Sequence, residues 1–256
     1  MRSTFLARGA IATALAGLLA AGAHAGPLDS SVALDQAYIP ALALTTAAQG
    51  DAGAVEKARG ALQRLQVRWP ALRAALLQDL SSPGPTQATA ARQTLAQVDR
   101  HLATAAQAVT AANYKAAHEA LEEVRIELMH ARTARGMDYF VDRLTAYHEP
   151  MEVLALAGSG TPSQEMTAAR RGQLEAAFVQ ARALWHGIEQ HLPHPQDYQL
   201  NDARSAQFRR GVAEETAALG RLSQALRGSD DAALLKAAAA VKPPFARTFT
   251  AFGQAD

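Results

Sequence analysis

Apolar residues recur along this chain at helical spacing. Leu62, Leu65, Trp69, Leu72 and Leu76 return every three or four positions, which stacks them on one helical face. No stretch sustains a period-two pattern of β-branched residues, so no sheet is expected. Turn-forming clusters interrupt the helical pattern at QGDAG (49–53), SSPGPT (81–86), AAN (111–113), TARGMD (133–138), GSGTPS (158–163), PHPQDYQLND (193–202) and RGSDD (227–231). They cut the chain beyond its leader into eight helical stretches. The predicted class is all-α.

The eight stretches read as four taken twice. Trp69 and Trp185 hold matching places in the second helix of each half, and Pro40 in AYIPALAL lies near Pro150 in YHEPMEVL. AVTAANYKAAHEALEEVRIELMHARTARG aligns without gaps on ALRGSDDAALLKAAAAVKPPFARTFTAFG, pairing Val124 with Val241 and Gly136 with Gly253. The expected organisation is two tandem four-helix bundles, residues 26–135 and 136–256, with short loops between antiparallel neighbours.

The start of the chain reads as a secretory leader. Arg2 and Arg8 precede the short apolar run AIATALAGLLAAGA, and Ala23-His24-Ala25 is a small-x-small cleavage site. Residues 1–25 are therefore expected to be a signal peptide and the mature chain periplasmic or secreted. No later apolar run is long enough for a membrane span. The chain has no cysteine, which excludes disulfides, thiolate metal sites, lipoprotein attachment and covalent c-type haem. Without the leader it carries 23 basic against 24 acidic residues, and only 5% of the chain is aromatic. That balance argues against a nucleic-acid partner.

One pattern occurs twice: His118-Glu119-Ala120-Leu121-Glu122 and His148-Glu149-Pro150-Met151-Glu152. At about 100° per residue, the histidine and second glutamate of each motif share a stripe, while Glu119 and Glu149 point away toward solvent. The repeat alignment sets these polar residues opposite Leu235, Ala239, Tyr38 and Leu42, so bundle construction alone does not require them. Gly136 suits a helix C-terminus and Asp138 an N-cap, turning the chain back between the motifs. A hairpin centred near position 135 sets His118 opposite Glu152 and Glu122 opposite His148, all at one level.

Two imidazoles and two carboxylates converging from paired helices form a transition-metal site. His118, Glu122, His148 and Glu152 are the expected ligands of iron, copper, zinc or manganese. Arg125 and Glu149 are outer-shell candidates, and Met129 and Met151 soft neighbours. The function expected is sequestration, delivery or sensing of the metal, and no pattern assigns turnover. The bland reading is ordinary interhelical ion pairing in a cofactor-free periplasmic module that binds a protein or small ligand. A b-type haem held by His118, His148, Met129 or Met151 is a further chemical option.

Other patterns carry less. HEPME lacks the second histidine of the His-Glu-x-x-His proteases, and Pro150 distorts the helix that such chemistry needs. Glu127-Leu-Met-His130 has di-iron spacing but no second copy and lies on the wet side. His186 and His191 are five apart, so capping and solvation explain them better than ligation. In architecture the doubled bundle resembles exported imelysin-type, iron-linked proteins. Their Gly-x-His-x-x-Glu motif is absent, since three residues separate His118 from Glu122 and no such glycine precedes them. No residue is carried across.

Overall fold

A computed structural model describes residues 28–81, 84–160 and 165–254. The expected leader at 1–25 lies outside the described residues. Among those described, every regular element is helical: α1 (Asp29–Ala47), α2 (Ala52–Ser81), α3 (Pro85–Thr110), α4 (Tyr114–Thr133), α5 (Phe140–Gly160), α6 (Ala168–Gln190), α7 (Asp202–Arg227), α8 (Asp231–Ala239) and α9 (Lys242–Thr250). A 3-10 turn at Pro195–Tyr198 precedes α7. The breaks expected from turn residues coincide with helix ends. No described helix is long and apolar enough to cross a membrane.

The final stretch is two helices rather than the one expected. Pro243 and Pro244 sit in the first turn of α9 and have no N–H for the carbonyls of Ala239 and Ala240, so α8 cannot run on. Proline at that position instead favours a helix start. The restart brings Lys242, Phe245 and Phe249 to the face where the two motifs meet.

Packing follows chain order. α1 lies on α2, α2 on α3 and α3 on α4, with α4 returning to α1. α5 lies on α6 and α8, and α7 on α6, α8 and α9. α4 touches α5, and α9 reaches both α5 and α1. One buried apolar cluster draws on all nine helices. Trp69 and Trp185 are core anchors, as their matched positions imply. Each indole N–H donates to the following helix, to Asp99 at 2.7 Å and to Thr216 at 3.0 Å.

Helix approach is closest where side chains vanish. A Cβ on Gly158 of α5 would collide with the backbone of Leu235 and Ala239 on α8. Inside α1, Pro40 cannot donate to the Gln36 carbonyl. That carbonyl accepts the Gln254 N–H at 3.0 Å, so the end of the described chain is pinned to its first helix.

The chain does fold back after α4. Gly136 takes φ +68°, and Gly136 and Met137 donate to the carbonyls of Thr133 and Arg132, closing the helix end in a Schellman arrangement. Asp138 does not cap α5 as expected. Its carboxylate takes Arg143 at 2.9 Å, and the N–H of Phe140 donates instead to the Tyr198 hydroxyl at 2.8 Å. Beside this turn a buried polar network joins three helices. Arg132 of α4 holds Asp142 of α5 through two hydrogen bonds, of 2.8 and 2.5 Å, and lies over the Tyr139 ring. The Tyr139 hydroxyl donates to Asp35 of α1 at 2.6 Å. Burial pushes the Asp35 carboxyl up to about 6, against the pull of the Arg132 charge.

Candidate metal centre at the junction of four helices

α1, α4, α5 and α9 meet around a cavity of about 150 Å³, lined by His118, Glu122, Arg125, His148, Lys242 and the apolar Leu42, Met151, Phe245 and Phe249. Each polar residue is presented by a helix whose other stripe is core: Leu121, Val124 and Leu128 on α4, and Leu144, Tyr147 and Met151 on α5, are buried. Glu119 and Glu149 point outward and are exposed.

Glu122 is the centre of the arrangement. Its Oε1 stands 3.4 Å from His118 Nε2, and its Oε2 stands 3.9 Å from His148 Nδ1. The guanidinium of Arg125, three residues along the same helix, also pairs with Oε2. Of the two expected cross-pairs, Glu122 with His148 is therefore brought together. The other is not: no contact joins His118 to Glu152. His118 turns its Nδ1 edge toward α1, 2.9 Å from the Thr46 hydroxyl and 3.4 Å from the Leu42 carbonyl. Glu152 is claimed by Lys242 of α9, 2.7 Å from Oε1, while its Oε2 lies 3.8 Å from His148 Nε2. The four groups thus do not close on one point. The hairpin register ignored what α1 and α9 add at the same level.

The two carboxylates flank opposite edges of the His148 ring. Nδ1 faces Glu122 and the cavity, and Nε2 faces Glu152, whose Oε2 is buried with no hydrogen-bond partner. His118 has the same division, with Nδ1 held by oxygens of α1 and Nε2 turned to Glu122. Burial, then the positive charges of Arg125 and Lys242, lowers the His148 imidazole to about 2. It stays neutral, with a lone pair on one nitrogen. The ring packs on Phe245 at 5.7 Å between centroids, and Arg125 lies over Phe249 at 5.8 Å.

The remaining candidates separate. Met151 is fully buried at the cavity wall, whereas Met129, His130 and Glu149 line a wider outer groove of about 590 Å³ on the far side of Glu122 and His148. His191 ends α6 with its ring donating to the Gly187 carbonyl at 2.9 Å. Tyr38, Tyr139 and Tyr147 spend their hydroxyls on the Leu121 carbonyl, Asp35 and Glu215. Among the described residues, no group of three or more His, Cys, Asp or Glu side chains is placed to hold a metal ion. Lys242, Thr46 and the Leu42 carbonyl were missed from sequence. The one available signal was Lys242-Pro243-Pro244, a helix start that places a lysine at the first turn. Comparison with known protein families, curated proteins and solved structures returns no match.

Proposed function

We propose that the chain is an exported helical protein that holds a transition metal in this cavity for sequestration, delivery or sensing. His118 Nε2, His148 Nδ1 and one oxygen of Glu122 are the donors. One observation carries the reading: each imidazole has its outer edge against protein oxygen and its inner edge turned to the same carboxylate. Ligating histidines are typically oriented in this way, the second nitrogen held by a carbonyl or carboxylate. Tetrahedral ligation with bonds of roughly 2.0–2.1 Å separates donors by about 3.4 Å. His118 Nε2 stands 3.4 Å from Oε1 and His148 Nδ1 3.9 Å from Oε2, so the imidazoles face different oxygens and a side chain must turn for one oxygen to serve both. In this reading Glu152 does not bind the metal; its Oε2 lies beside His148 Nε2 at 3.8 Å. Arg125 is the neighbour that must yield Oε2. Zinc, iron, copper and manganese all tolerate this nitrogen–oxygen set.

The size of the cavity agrees. At about 150 Å³ it is below the roughly 300 Å³ where sites for drug-sized ligands begin, which disfavours haem and suits an ion with a small companion. Tandem helical units are supported by the packing order, by the equivalent tryptophans, and by Pro40 and Pro150 inside the first helix of each half, the last helix of the second unit being broken into α8 and α9. Export rests on the leader pattern at 1–25.

Elemental analysis of tag-free protein recovered from a native periplasm tests the proposal. About one equivalent of metal is expected, falling to none in His148→Ala. A metal-free protein whose His148→Ala variant loses only modest stability would establish the second reading, a helical interaction module. That reading draws on the outer groove, where Val153 and Leu156 are 47% and 62% exposed.

A further inference from the structure

We infer that the cavity between α1, α4, α5 and α9 binds a small uncharged organic molecule, with an apolar body the size of one ring and a hydroxyl or carbonyl head. The site needs no metal for this, so the inference stands apart from the metal reading.

Size and walls define the body. The cavity holds about 150 Å³, the volume at which an apolar protein cavity takes up benzene. Leu42, Met151, Phe245 and Phe249 wall it, and all four are buried. Thr46 of α1 and Ala246 of α9 are exposed at its edge, which gives a ligand a way in from solvent. Water filling the space would wet four apolar side chains, and an apolar body that displaces it is favoured.

The polar groups define the head. Glu122 pairs with Arg125 and Lys242 with Glu152, so the acids and bases around the cavity offset each other. A bound anion or cation would find no uncommitted counter-charge there, and unpaired buried charge is costly. Hydrogen-bonding capacity is left over, however. Arg125 is 6% exposed, its guanidinium lies over the Phe249 ring, and its Nε is buried with no hydrogen-bond partner. A buried N–H calls for an acceptor, and a hydroxyl or carbonyl oxygen supplies one without adding charge. His148 turns its Nδ1 edge to the same space, where a neutral imidazole nitrogen can pair with a hydroxyl.

The test uses the purified chain, freed of metal with EDTA and labelled with carbon-13 at the methionine methyl groups. Phenol, toluene, benzoate and benzylammonium are titrated in turn, since they share a ring and differ in the head. Phenol is expected to shift the Met151 methyl resonance saturably and to leave Met129, which lines the outer groove, unmoved. It should bind about tenfold or more tightly than toluene, the worth of one hydrogen bond to a charged donor. Benzoate and benzylammonium should bind about tenfold or more weakly than phenol. Arg125→Lys keeps a charge for Glu122 and loses the Nε–H, so phenol should fall to the level of toluene. If that variant does not fold, the phenol-to-toluene ratio in the unaltered chain decides. The inference is overturned by a shift at Met129 without one at Met151, or by no saturable shift at all. It is equally overturned if toluene or either charged ring matches phenol, or if Arg125→Lys binds phenol undiminished. Zinc added to the same sample separates the two readings. Zinc uptake without phenol binding overturns this inference alone, and phenol binding by a chain that takes up no zinc overturns the metal site alone.

Discussion

Replacing Asp35 with asparagine should stabilise the protein above pH 6 and lose that advantage in acid. Asp35 is buried between α1 and the turn into α5, with Tyr139 as its donor and Arg132 nearby. Its carboxyl rises from 3.8 to about 6 on folding, because burial penalises the charge more than Arg132 and Tyr139 relieve it. A raised folded value means that the native state binds the proton more tightly. The contribution to stability is full below 3.8 and is lost as pH climbs through about 6. The change is worth about 3 kcal/mol, taking 1.36 kcal/mol per tenfold change in proton affinity. Asparagine is of equal size, can accept from Tyr139 through its amide oxygen, and does not titrate.

Urea unfolding of both proteins between about pH 4 and 7.5 gives the comparison as a difference of free energies. The difference is required because His148 acts in the opposite sense. Its lowered folded value makes stability fall as pH drops below 6.5. Subtracting the variant removes that term, since the two residues share no contact and distant sites add. The advantage of Asp35→Asn should grow by about 2 kcal/mol from pH 4 to 7, the rest of the change lying below pH 4. A flat difference, or one that shrinks as pH rises, would refute the account of a desolvated carboxylate.

Other outcomes follow from the packing. Gly158→Ala should cost roughly 1–3 kcal/mol, read by thermal or denaturant unfolding, because α5 must part from α8 to admit a methyl group. Gly136→Ala should cost about 1 kcal/mol in the same assay, since φ +68° disfavours any residue with a Cβ. Glu215→Gln should resemble Asp35→Asn at higher pH. Burial raises the Glu215 carboxyl from 4.5 to about 8, so the variant's advantage should grow between about pH 5 and 8 in urea titrations.

Local rules made much of the fold legible. Turn residues located the helix ends, and Gly136 marked the reversal that brings Glu122 to His148. The periodic stripes of α4 and α5 put His118, Glu122 and His148 at the edge of the core, where they stand. What failed had tertiary causes. A hairpin considered by itself pairs His118 with Glu152, but Thr46 and the Leu42 carbonyl draw His118 aside, and Lys242 captures Glu152. Those partners are more than 70 positions away in the chain, and Lys242 arrives only because two prolines restart the last helix. Asp35, Arg132 and Asp142 went unnoticed for the same reason. None of their sequence neighbourhoods signals a buried charge, which only the meeting of three helices creates.

The hydrogen bond from Gln254 to Gln36 has a consequence for how the molecule comes apart. Because Gln254 is fastened to the middle of α1 at the carbonyl that Pro40 leaves vacant, the last described residues and that part of α1 should loosen together. Melting should then register as one calorimetric peak, and a chain cut back to Gly253 should split that peak or move it to lower temperature.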